Sequence, residues 1–405
     1  MPNLLHLTAA LALAASGAGT LEVRDVEVSG NGRTDRAVIV RALGVRPGDL
    51  ISGESLDGLR QQVMNLRLFE EVEVATRPSG DGVVLTVSVK ERWTLIPIPI
   101  VGASDGAFRA GAAVLESNLL GRHKLLMLSA IYSSRGPSAI VLYRDPALLG
   151  SRALLAAELI AGSSLRERVD AGEVVYAWRD RRVEASVRPG LEPFPRLRLR
   201  AGPFFSSRTS RAEPGYAPPP PAGLDLGLAA EVEYDGQDHA GWFEAGPKAG
   251  ARVRSALPAL GSDRRFTQLN AQASWVVRAL RDHAASATLA GFLADGDPIL
   301  DAFLLGGRPG SRGLRQEGLW VERGATATVD YQVPVWRPGW GTVTTGAFLD
   351  AGVSTWRGER TRYVAPGAGF RVYLRRIALP AMGLDFAWST AGRGVGTSFF
   401  LGFGA

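Results

Sequence analysis

Arginine and carboxylate side chains, rather than nucleophiles, carry the chemistry available to this chain. Its 405 residues include 46 Lys or Arg against 40 Asp or Glu, a net charge of +6. Arginines recur at alternate positions, as in Leu197-Arg198-Leu199-Arg200, which puts guanidinium groups on one face of an extended strand and apolar groups on the other. No segment concentrates the charge as a nucleic-acid arm does, so a basic channel lining is favoured and nucleic acid is not an expected partner. Two further places stand out. Leu305-Gly306-Gly307-Arg308-Pro309-Gly310-Ser311-Arg312-Gly313-Leu314 sets arginine among turn-forming glycines. Asp350 is isolated among apolar residues: Val343, Ala347, Leu349, Ala351 and Val353 share one parity, so Asp350 faces the opposite side of its strand.

Catalysis has little to stand on. Cysteine is absent, which removes disulfides, thiolate zinc sites and a cysteine nucleophile. His6, His123, His239 and His283 are too scattered for a metal cluster, and Asp235-Gly236-Gln237-Asp238 lacks the ligand count for calcium and reads as a turn. There is no Gly-x-Ser-x-Gly elbow, phosphate loop or His-Glu-x-x-His. The chain is expected to be no enzyme and to need no cofactor or metal.

The elements that position these residues fall into three stretches. Residues 1–18 have an apolar run from Leu7 to Ala15 and small residues at Ser16 and Ala18, the pattern of a signal peptide. Mean hydropathy is only +0.03, and no later run reaches the ~18 apolar residues of a membrane helix, so a membrane would have to be crossed by strands.

Residues 21–92 read as strand, helix, helix, strand, strand. Leu21 to Ser29 is a strand ended by Gly30-Asn31-Gly32; Thr34 or Asp35 caps a helix running to Leu43, which Gly44 and Pro47 stop. Leu56, Leu59, Val63 and Leu66 form one apolar stripe of a second helix. Glu71 to Thr76, the turn Ser79-Gly80-Asp81-Gly82 and Val83 to Lys90 complete a hairpin. From 93 to 405 the pattern changes to segments of period two separated by Gly, Pro, Asp and Arg. Leu226 to Tyr234 sets Leu, Leu, Ala, Val and Tyr against Gly, Ala, Glu and Glu. Nine tryptophans often fall near segment ends, as an aromatic girdle requires. This length suits about sixteen tilted strands of ~9 to 11 residues.

The first of these regions resembles a POTRA domain, on Val26-Glu27-Val28-Ser29-Gly30-Asn31, Gly48-Asp49-Leu50 and Leu68-Phe69-Glu70-Glu71-Val72-Glu73-Val74. With the loop motif, the chain is similar to the BamA/TamA-type outer-membrane assembly and translocation superfamily, whose barrel is also called the bacterial surface antigen domain. The signature is a Gly-Gly pair, here Gly306-Gly307, then Arg-Gly-aromatic; here Arg312-Gly313 is followed by Leu314. A second signature, an Asp one residue before a Gly, matches Phe348-Leu349-Asp350-Ala351-Gly352.

The resemblance implies an α+β POTRA domain (βααββ, 21–92) in the periplasm, then an all-β outer-membrane barrel of sixteen antiparallel strands (93–405). It implies that the loop tip folds into the barrel and Arg312 meets Asp350. It implies client capture by strand addition at the sheet edge, along Glu71, Val72, Glu73 and Val74. Expected partners are unfolded outer-membrane or secreted clients, outer-membrane lipid and accessory lipoproteins. The Thr94 to Ala103 segment, with Pro97 and Pro99, would be a weak first strand at the closing seam. Phe403, two residues before Ala405, stands where such barrels carry an aromatic targeting signal. The rival reading is a passive channel or structural surface protein with the same architecture.

Overall fold

A computed structural model describes residues 20–104, 107–170, 173–307, 309–315, 317–374, 380–391 and 395–401. The expected signal peptide (1–18), Arg308 and Phe403 lie outside the described residues. The chain divides into two compact units: one takes the residues up to Leu95 together with Ser117–Lys124, the other Ile96–Glu116 and the residues from Leu125 on.

The first unit begins with β1 (Leu21–Ser29), after which the Asp35 carboxylate accepts from the Ala37 amide at 2.9 Å and caps α1 (Arg36–Leu43). Gly44, at φ 67°, takes the left-handed conformation that ends this helix. A short β2 (Leu50–Ile51), absent from the expected order, pairs antiparallel with β1. α2 (Ser55–Met64) turns Leu59 and Val63 into the core. β3 (Phe69–Ser79) and β4 (Gly82–Glu91) form the expected hairpin, longer at both ends than alternation alone marks. The sheet order is β2-β1-β4-β3, with β1 parallel to β4. Both helices cover one face, burying Val23, Ile39, Val63, Phe69, Leu85 and Val87. β3 is therefore an outer strand whose second edge has no strand partner among the described residues.

The second unit is a closed antiparallel barrel. Its strands are β5 (Leu95–Ser104), β6 (Ala107–Leu119), β7 (Lys124–Ser133), β8 (Gly136–Asp145), β9 (Ala153–Asp170), β10 (Glu173–Phe194), β11 (Leu197–Ala212) and β12 (Gly223–Asp235). The two-residue β13 (Asp238–His239) precedes β14 (Glu244–Ala256), β15 (Phe266–Arg278) and β16 (Ala284–Asp295). A loop then carries a small hairpin, β17 (Phe303–Leu305) and β18 (Leu319–Val321), before β19 (Arg323–Trp336), β20 (Gly341–Trp356), β21 (Glu359–Leu374), β22 (Pro380–Trp388) and β23 (Val395–Leu401). Leaving aside β13 and the hairpin, the described residues form the sixteen strands the spacing predicts.

Alternation explains the barrel's inside and outside. Along β12, Leu228, Val232 and Tyr234 are exposed on the outer wall while Asp225, Gly227 and Ala229 are buried within. β5 leads in at what we call the near end, so the connections after β5, β7, β9, β11, β14, β16, β20 and β22 lie at the far end. Trp275, Trp336, Trp340 and Trp388 are exposed, as the girdle expectation requires of them. It fails for Trp178, Trp320 and Trp356, which form a buried cluster with ring centroids 5.9 Å apart in each contact. Trp178 and Trp356 have inward parity, and the loop lays Trp320 between them.

Candidate functional site

The site is built on the inner face of β19, β20 and β21 and on the loop between β16 and β19. Phe348, Asp350 and Gly352 occupy successive inward positions of β20, while Leu349 between them is exposed outside. Thr328 of β19 lies opposite Asp350, and Tyr363 of β21 lies opposite Gly352.

The loop reaches this face because its glycines allow tight turns. Gly306, Gly307, Gly310 and Gly313 all have positive φ. Gly313 has a second reason to be glycine: a Cβ there would sit 3.2 Å from the Cβ atoms of Ala387 and Ser389, so a larger residue would press against β22 and the turn after it. Ser311 ties the tip to its own stem, accepting from the Gly306 amide at 3.1 Å through Oγ and from the Gly307 amide at 3.2 Å through its carbonyl.

At the tip Arg312 is enclosed. Its Nε and backbone amide donate to Asp350 Oδ2 at 2.9 and 3.0 Å, and its Nη2 donates to Oδ1 at 2.8 Å. Thr328 Oγ1 donates to the same Oδ1 at 2.9 Å, so one carboxylate receives four hydrogen bonds. Nη1 faces Asp330 at 3.4 Å and Asp385 at 4.0 Å, and the guanidinium stacks on Phe348, 3.3 Å from the ring centroid. Asp350 is fully buried and Arg312 nearly so. Only a planar guanidinium can make the bidentate pair and the stack together.

Gly352 acquires a role that its place in the motif did not reveal. A Cβ there would strike the Tyr363 ring. Without one, the ring lies across the glycine and its hydroxyl donates to the Gly310 carbonyl at 2.5 Å. Gly306, Gly307, Arg312, Gly313, Asp350 and Gly352 are thus brought into one assembly, and Leu314 is buried beside it. Sequence reasoning missed Thr328, Asp330, Tyr363 and Asp385, whose only signal is inward parity on neighbouring strands.

A second anchor holds the loop's base. Arg264, between β14 and β15, donates to Asp225 at 2.8 and 2.9 Å and to Asp301 at 2.7 and 2.6 Å. Burial alone would pull the Arg264 guanidinium down, but these two carboxylates hold it above its ordinary value. Trp356 Nε1 also donates to the Pro298 carbonyl at 2.8 Å.

The expected basic lining exists, but as a ladder of ion pairs. Inside β9 to β14, Arg188 meets Glu158 at 3.2 Å, Arg200 meets Glu231 and Glu233 at 2.9 and 3.0 Å, and Arg254 meets Glu184 at 3.3 Å. The other predicted residues, Glu71, Val72, Glu73 and Val74, belong to the first unit. They lie on the outer strand β3, with Val72 and Val74 turned into the core and Glu71 and Glu73 exposed.

Residues 21–92 match the POTRA family described as surface antigen variable number repeat. Among curated proteins, the chain is 30% identical over 127 residues to the outer membrane protein assembly factor BamA of Nitratidesulfovibrio vulgaris, and 30% identical over 116 residues to that of Neorickettsia risticii. These alignments take 31% and 28% of this chain, and 16% of each relative's own length.

Solved structures with the same fold include BamA from Haemophilus ducreyi lacking POTRA domains 1–3, with TM-score 0.59 and 15% identity over 95% of this chain and 85% of that one. CdiB from Acinetobacter baumannii gives TM-score 0.65 and 14% identity over 95% of this chain and 74% of that one. The chain thus joins a POTRA-matching domain to a barrel that has sixteen antiparallel strands among the described residues, the fold of these solved structures.

Proposed function

We propose that the protein sits in the bacterial outer membrane and inserts client chains into it or passes them across, with the POTRA domain capturing extended clients in the periplasm. The observation that carries this reading is the seam. Among the described residues β23 pairs with β5 from Ser398 with Ser104 to Leu401 with Val101, and Leu95 to Ile100 are the part of β5 that leads into this pairing. Pro97 and Pro99 lie in that stretch and offer no amide donor. A closing strand that lacks amide donors can part from its neighbour and offer an edge to an incoming chain.

The POTRA unit supports the same reading. β3 presents an open edge of 11 residues, and main-chain pairing along it would bind many sequences without selecting one. Arg312 and Asp350 would act here as positioning residues, holding the loop inside the barrel while the seam moves.

A photoreactive residue at the Glu73 position, used in cells, tests the proposal. Capture of several barrel precursors is the expected result. Capture of one exported protein would narrow the function to dedicated secretion, and capture of no client would contradict it in favour of a passive channel.

A further inference from the structure

The outer wall at the far end carries two arginines that no carboxylate among the described residues neutralises. On the outward parity of β10 and β11, Arg179 stands directly opposite Arg211, and Arg181 opposite Thr209. Like charges facing each other across a strand pair repel. Arg179 has Glu213 at 3.3 Å. Arg181 and Arg211 are exposed, and among the described residues neither has a carboxylate within ion-pair distance.

Their height on the wall is informative. Below them the outward positions are apolar: Val183, Ala185, Val187 and Leu191 on β10, and Leu199, Ala201, Pro203 and Phe205 on β11. On β10 that stretch, Val183 to Leu191, matches the ~9 to 11 residues a tilted strand needs to cross hydrocarbon. Arg181 follows immediately on β10, and on β11 Ser207 and Thr209 lead up to Arg211, at the level where hydrocarbon gives way to headgroups and an arginine ceases to be costly.

A groove of about 870 Å³ opens on the same wall. One row across five strands reads Leu128, Val141, Leu159, Ala185, Phe205; the next toward the far end reads Ala130, Ala139, Ala161, Val183, Ser207. The change from large to small side chains makes the hollow. Tyr132, stacked near Phe108 at 6.4 Å, walls one side, while Arg181 and Thr209 head the other.

We propose that this groove binds one anionic, phosphate-bearing lipid of the far-end leaflet, its headgroup between Arg181 and Arg211 with the Thr209 and Ser163 hydroxyls, its acyl chain over Ala130, Ala139 and Ala161. The proposal rests on reading the barrel as membrane-spanning. An apolar peptide would leave the two guanidinium groups unanswered, whereas a phosphate answers both and its chain fills the hollow.

Purified full-length protein in phosphatidylcholine vesicles with a minor fraction of phosphatidylglycerol, extracted and weighed by native mass spectrometry, tests it. The wild type should retain phosphatidylglycerol. Arg181→Ala and Arg211→Ala should each weaken retention about fivefold and the double variant about thirtyfold. Ala161→Phe, which fills the groove and keeps both arginines, should also lose the lipid, and Arg181→Lys should largely keep it. Retention by the double variant equal to wild type would overturn the site, as would complete displacement by inorganic phosphate. Failure of the protein to enter vesicles at all would instead overturn the membrane reading beneath it.

Discussion

Two walls of the same barrel are built by different rules. β9 and β10 are 18 and 22 residues long and share 18 register partners, while β10 and β11, and β11 and β12, each share 12. Inside that wall arginine and glutamate pair across strands. At the seam β5 carries Pro97 and Pro99, which offer no amide donor, and the inner face beside it is apolar, with Ile98, Ile100 and Ala113 packed together and Ile131 against them. Each ladder pair adds a main-chain bond worth about 0.5 to 1.5 kcal/mol net, so the long wall is fixed by register and ion pairs. The seam has a first strand short of amide donors and a small apolar contact, which a client strand with its own amides and apolar side chains could replace.

The largest effect is expected where charges are locked furthest from water. Arg312→Ala strands the buried Asp350 and should cost about 3 to 5 kcal/mol, freeing the loop rather than unfolding the long wall. Protease cutting between residues 296 and 322 measures it, and protection equal to wild type would show that the pair does not hold the loop. Ile100→Ala removes a buried side chain from the seam patch and should cost about 2 kcal/mol, the low end for such a change because the cluster is small. Barrel melting should fall while client insertion persists; loss of insertion with unchanged melting would place Ile100 in client contact instead. Asp35→Ala removes a helix cap in the POTRA unit, at about 1 kcal/mol. Urea unfolding should report it there alone, and any change in barrel melting would mean that the units unfold together.

How much of this could be read from sequence depended on period and on motif. Asp35 and Gly44 mark α1 because cap chemistry is local, and the alternation around Asp350 places that carboxylate inside because parity is local too. β2 has two residues and β17 and β18 three each, too few for any period to register. The clamp of Arg264 on Asp225 and Asp301 joins residues 39 and 37 positions apart, and Arg264 and Asp301 lie in connections without a repeating pattern. Trp178, Trp320 and Trp356 read as girdle residues because segment ends are visible in sequence, whereas the loop that covers them becomes visible only once folded. Tyr363 over Gly352 needs the register between two strands, which neither strand alone contains.

A disulfide across the seam reaches the central claim most directly. The chain has no cysteine of its own, and Val101 and Leu401 are opposed in register, a separation that a disulfide can span. In the Val101→Cys, Leu401→Cys variant, oxidation should stop client insertion or export and a reductant should restore it. Equal activity in the oxidised and reduced forms would contradict a function that works through an opening seam.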